Sequence, residues 1–134
     1  MTTFRTARLG TDADVIAPDG SEVRLLVRVD AGSMAHFRLA AGRVSVPARH
    51  RTVSEMWYVV EGEGEMWRAS GGIEEVVALE PGAAITIPLG TSFQFRAATG
   101  AAFAAVGVTM PPWPGDGEVE FVPGPWAPTE SSGA

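Results

Sequence analysis

The sequence predicts an all-β fold, a sandwich or barrel formed by a single domain. Three observations carry that prediction. Helical periodicity is nearly absent, because no stretch keeps an apolar i, i+3, i+4, i+7 stripe free of Gly or Pro. Short apolar or alternating runs recur instead. Each run is bounded by residues that turn the chain, and 16 Gly and 10 Pro supply those turns.

The strand-like runs are 23–29, 34–39, 56–60, 66–69, 73–79, 83–87, 92–97 and 101–109. Between them lie Pro18-Asp19-Gly20, Ala31-Gly32, Ala41-Gly42, Gly62-Glu63-Gly64, Gly71-Gly72, Pro81-Gly82 and Pro88-Leu89-Gly90. Gly supplies positive φ at such corners and Pro pre-sets φ. Alternation is clearest where Phe93, Phe95 and Ala97 interleave with Gln94 and Arg96. Residues 1–19 read as an N-terminal arm or first strand, and 20–110 as the barrel. Residues 111–134 form a Pro- and Gly-rich tail. That tail is expected to run as an extended arm, pin Trp113 and Trp126 on the barrel, and fray from 129 onward.

At 134 residues the chain fits one domain that can bury a core. Its 46% hydrophobic content makes disorder a poor description. The absence of Cys excludes disulfides, thiolate metal sites and a thiol nucleophile. No apolar h-region opens the sequence and no run approaches the ~20 residues that span a bilayer. Retention in the cytoplasm, with no membrane partner, is the simplest expectation. The formal charge is −6, and the ten basic residues, all Arg, are scattered apart from Arg49-His50-Arg51. Phosphate binding needs a basic patch, so no nucleic-acid partner is expected.

Residues 42–62 read GRVSVPARHRTVSEMWYVVEG and carry a resemblance. Gly42 is followed after five residues by Ala48, then by His50, Glu55 and Gly62. These spacings resemble the first motif of the cupin superfamily, with Ala48 in place of its first His. Residues 82–97, GAAITIPLGTSFQFRA, resemble the second motif. Gly82, Pro88 and Gly90 match it, while Phe93 stands in place of a His and Ala97 in place of an Asn. The chain thus looks like a small single-domain bacterial cupin, a jelly-roll β-barrel, with a degenerate metal site. The resemblance implies a pocket inside the barrel and a site normally built from three His and one Glu.

Side chains at i and i+2 of a strand share a face. Ala48 and His50 therefore point inward, as do Glu55 and Trp57, and Phe93, Phe95 and Ala97. The predicted pocket is apolar and aromatic, with His50 and Glu55 as a candidate acid–base pair. His50 and Glu55 are also the remaining candidate metal ligands. His36 is the only other His. On an inward-facing strand it would complete a two-His, one-carboxylate set. Arg38 shares its parity and would then anchor a carboxylate; a surface or rim position is preferred for His36. Arg49 and Arg51 should point to the other face of their strand, paired or solvated.

The expected function is binding of a small, apolar or aromatic organic molecule. It includes metal-independent lyase, isomerase or cyclase chemistry at His50 and Glu55, with no cofactor. One alternative is a dioxygenase- or isomerase-type cupin using Zn, Fe, Mn or Ni. Another is a non-catalytic binding or sensing module. A homodimer is expected through 23–29, which is apolar on both faces. Four Trp and six Phe are also enough to fill a small barrel and leave no site.

Overall fold

The computed structural model describes residues 3–131 and contains eleven strands in two antiparallel sheets. They are β1 (Val15–Ile16), β2 (Glu22–Val29), β3 (Gly32–Leu39), β4 (Ala48–His50), β5 (Ser54–Glu61) and β6 (Gly64–Ser70). There follow β7 (Ile73–Leu79), β8 (Ala84–Ile87), β9 (Ser92–Ala97), β10 (Phe103–Met110) and β11 (Val119–Phe121). One sheet has the order β1-β2-β3-β10-β5-β8 and the other β11-β4-β9-β6-β7. Strands distant in sequence are neighbours, as in β10 between β3 and β5, which is the crossover pattern of a jelly roll.

Each of the eight runs seen in the sequence is a strand. Beyond those runs lie three strands of only two or three residues: β1, inside the stretch read as an arm or first strand; β4, expected from the motif geometry; and β11, which the pattern did not reveal. A pattern of period two needs more residues than that to show itself. The last of them refines the reading of the tail. Within the expected extended arm, residues 119–121 form a strand paired with β4, in the register Val119↔His50 and Phe121↔Ala48. A 3-10 turn, Asp116–Glu118, leads into it. Trp126 does pin the tail: Arg96 stacks 4.0 Å over its ring, and its backbone exchanges hydrogen bonds with buried Gln94. Thr129 and Glu130, expected to fray, bond to Val44 and Arg43. The rest of the expected frayed end, 132–134, lies outside the described residues.

The core lies between the sheets. Leu39, Val59, Met66, Ile87, Phe95 and Phe103 are all at most 1% exposed there. Trp57 meets Phe95 edge to face at 4.9 Å, and Phe95 meets Phe103 at 6.0 Å. Fully burying one such ring contributes about 2–3 kcal/mol. Gly62 shows why this corner demands glycine. Its φ is +72°, and a Cβ there would overlap the carbonyl oxygen of Ala102.

Candidate functional site

The two sheets part at one end and leave a cavity of about 100 Å³. The barrel is therefore not filled by its aromatics. β4 brings Ala48 and His50 to this cavity, β5 brings Glu55 and Trp57, and β9 brings Phe93. These are the residues that strand parity placed inward. His50 Nε2 lies 2.7 Å from Glu55 Oε1, and both side chains are buried. The Trp57 indole N–H donates to the other carboxylate oxygen, Oε2, at 2.8 Å. Glu55 is thus fixed at both oxygens. His50 is held by rings, with Phe93 at 5.1 Å and Trp113 edge-on at 5.3 Å. Its Nδ1 is buried and has no partner among the described residues.

The spacing of the pair is set from behind. Glu118 is only 4% exposed and clamps the bend between β4 and β5. It accepts from the backbone N–H of Thr52 at 2.6 Å and of Val53 at 3.2 Å, and from the Thr52 hydroxyl. The backbone N–H of Arg51 donates to the Glu118 carbonyl at 2.9 Å. Burial works to raise the Glu118 pKa, but the bonds from Thr52 and Val53 outweigh it and leave it lowered. Arg49 of β4 and Arg51 just after it both pair with Glu120 of β11, at 2.5 and 2.9 Å. Gly107 of β10 provides room in front. A Cβ there would overlap the Phe37 ring and come within 2.8 Å of Glu55 Oε2.

Four of the predicted pocket residues lie elsewhere. Phe95 and Ala97 face inward but sit deeper in the packed core and do not line the cavity. His36 and Arg38 are on the wrong face of β3, because Ser33, Ala35 and Phe37 are the residues of that strand that line the cavity. His36 is buried on the outer side of the sheet, where burial and then the Arg24 charge lower its pKa. Arg38 pairs with Glu22 at 3.3 Å. His36 therefore cannot join His50 and Glu55 as a ligand.

Sequence reasoning missed the residues that come from outside the barrel motifs. Asp19 and Val15 reach the cavity from the N-terminal segment, and Trp113, Asp116 and Val119 from the tail. Asp19 Oδ1 accepts from the Ser21 N–H at 3.0 Å and the Ser21 hydroxyl at 2.7 Å. Burial pushes its carboxyl up; the Ser21 bonds oppose that shift and the Glu55 charge adds to it. The signal available was Pro18-Asp19-Gly20, which was legible as a turn but not as a wall.

Two antiparallel sheets in jelly-roll order around an inward His–Glu pair define a cupin. A family model of the cupin domain matches residues 35–109, and the chain belongs to that family. Its fold is similar to Streptomyces PAC13 solved with uridine, at 18% identity and TM-score 0.69, over 91% of this chain and 92% of that one. It is also similar to KdgF from a Halomonas species, at 18% identity and TM-score 0.65, over 78% and 94% of the two chains. The Drosophila melanogaster CENP-C cupin domain matches at 16% identity and TM-score 0.61, over 68% and 70%. No match is found among curated proteins.

A cupin fold implies a metal, and the donors present do not fit one held by three or four protein ligands. Ala48 and Phe93, which stand where the motif resemblance implies two His, face each other as backbone partners across β4 and β9. His50 spends Nε2 on Glu55. Among the described residues no three His, Cys, Asp or Glu side chains gather as a metal-holding group. Among the described residues, too, no helix is long and apolar enough to cross a membrane.

Proposed function

We propose that this cupin binds a small organic molecule with an apolar or aromatic body and moves a proton on it with His50 and Glu55. The reaction class is a metal-independent lyase, isomerase or cyclase step. One observation carries this reading: the 2.7 Å His50–Glu55 pair lines a mostly apolar cavity that Phe37, Trp57, Phe93 and Trp113 help to form. Glu55, held by Trp57, orients the imidazole and balances the charge that His50 gains on accepting a proton. The rings exclude water, which strengthens that electrostatic support. The likeness to a protein solved with uridine supports a ligand of this size and kind.

The test has two parts. Uridine and acetophenone are titrated into the protein, with the fluorescence of Trp57 and Trp113 as readout. Deuterium uptake at the acetophenone methyl group is then followed in heavy water. Binding, with exchange abolished in His50→Gln, is the expected result. Binding with equal exchange in both proteins would leave a plain binding module. Metal content measured beside His50→Ala checks the metal-dependent alternative. Near-stoichiometric metal lost in the variant would replace the present reading.

We also propose a homodimer formed along β2. β1 pairs only with Val23 and Glu22 of that strand and Asp14 takes the Leu25 N–H, so the edge past Leu25 is not covered by β1, and the Leu25 and Val29 side chains are exposed. Sedimentation as a clean monomer would remove it.

A further inference from the structure

The charge of the cavity wall is one-sided. Asp19, Glu55 and Asp116 line it, and no Arg does. The arginines close in sequence are committed elsewhere. Arg49 and Arg51 face Glu120, Arg38 faces Glu22, and Arg24 donates to the carbonyls of Gly10 and Thr11. An anionic ligand would meet carboxyl groups with no guanidinium to receive it.

We propose that the cavity selects small organic cations, ammonium compounds carrying an apolar group, and that Asp19 recognises the charge. This rests on the reading of the cavity as a small-molecule site. The Asp19 carboxyl is a built feature. Ser21 is 1% exposed and fixes Oδ1 by two hydrogen bonds, while Oδ2 makes none among the described residues. His50 lines the same cavity, and its buried Nδ1 has no partner among the described residues. In the neutral tautomer that gives Nε2–H to Glu55, that Nδ1 is an acceptor. An ammonium group has several N–H donors for such acceptors. Phe37, Trp57, Phe93 and Trp113 line the cavity together with small and aliphatic residues such as Ala35, Ala48 and Val119. Aromatic faces attract cations, the more so where water is excluded. The Trp57 N–H is already engaged by Glu55, so its ring is what it offers a ligand. Burial and the nearby Glu55 charge act to raise the pKa of half-buried Asp19, and no Arg on the wall offers it a counter-charge; an ammonium ligand would supply one.

Three ligands of one shape test this by calorimetry at neutral pH: benzylammonium, benzyl alcohol and benzoate. The expected order places the cation about tenfold tighter than the alcohol, with benzoate weakest. In Asp19→Asn, which keeps an oxygen for Ser21, the cation-to-alcohol ratio should fall to about threefold or less. Thermal melts check that the variant is folded, and the three-ligand order in the unaltered protein stands without it. If alcohol and cation bind equally, or benzoate binds best, the charge inference is overturned while the small-molecule reading survives. If none binds at millimolar concentration, both fall. A cation preference that persists in folded Asp19→Asn would overturn the role of Asp19.

Discussion

The two ends of this barrel are built from the same strands and come out differently. At the closed end, Phe95 and Phe103 of β9 and β10 are fully buried and touch Trp57 or each other. At the open end, the same β9 and β10 present Phe93, Gly107 and Thr109 to a cavity. Alternation directs side chains inward at both ends and cannot say which end is full. Residue size decides. Phe95 and Phe103, packed with Leu39, Val59 and Met66, close the lower layer, whereas Ala35, Ala48 and Gly107 hold the upper layer open. The closed end stores stability, and the open end gives some up for a polar pair and empty space.

That contrast is broken most forcefully at the closed end. Phe95→Ala should cost about 3–5 kcal/mol, from lost burial and the void left behind. Urea denaturation reads it, and a loss below about 1 kcal/mol would mean that the layer is loosely packed. Next is the clamp behind the open end. Glu118→Gln should cost about 2–3 kcal/mol, because a carboxylate bonded to charge-starved N–H groups is replaced by an amide. Its pKa is lowered on folding, so its contribution is complete above the ordinary value of 4.5 and fades as pH falls through the folded value. The two proteins should therefore converge in acid, and a gap independent of pH would contradict the assignment.

Gly107→Ala should cost about 1–3 kcal/mol, since the new methyl meets Phe37 and Glu55 Oε2. It should also disturb the His50 ring signals in proton NMR; unchanged signals would show that the wall yields without moving the pair. The smallest effect has the opposite sign. Asp19→Asn should stabilise the protein slightly at neutral pH. The Asp19 pKa is raised on folding, so the wild type loses stability as pH rises from the unfolded to the folded value. Melting curves at acid and neutral pH read it, and a variant less stable at both would show that Ser21 needs the carboxylate.

The sequence was informative where chemistry repeats. Eight strands were legible because Gly and Pro bound them, and the pairing of His50 with Glu55 followed from motif spacing and strand parity. Its limits are equally physical. His36 and Phe37 are adjacent and apolar neighbours surround both, so parity alone left the inward face of β3 undecided. The partner strands settle it, since Ala105 and Gly107 of β10 sit opposite Phe37 and Ala35. Asp19 and Trp113 were invisible as site residues because they reach the cavity from irregular segments, where no period predicts direction. β11 was masked by Pro and Gly on both sides.

The cupin-domain match ends at Thr109, yet Trp113, Asp116, Glu118 and Val119 wall or brace the cavity. The fold and the site therefore have different boundaries. A barrel of this kind can keep β2 to β10 and exchange its tail with β11, and the exchange would replace one wall of the pocket and the brace behind the His–Glu pair together. Ligand preference in such proteins can then diverge by substitution of a short C-terminal segment, while the portion that marks them as relatives stays nearly unchanged.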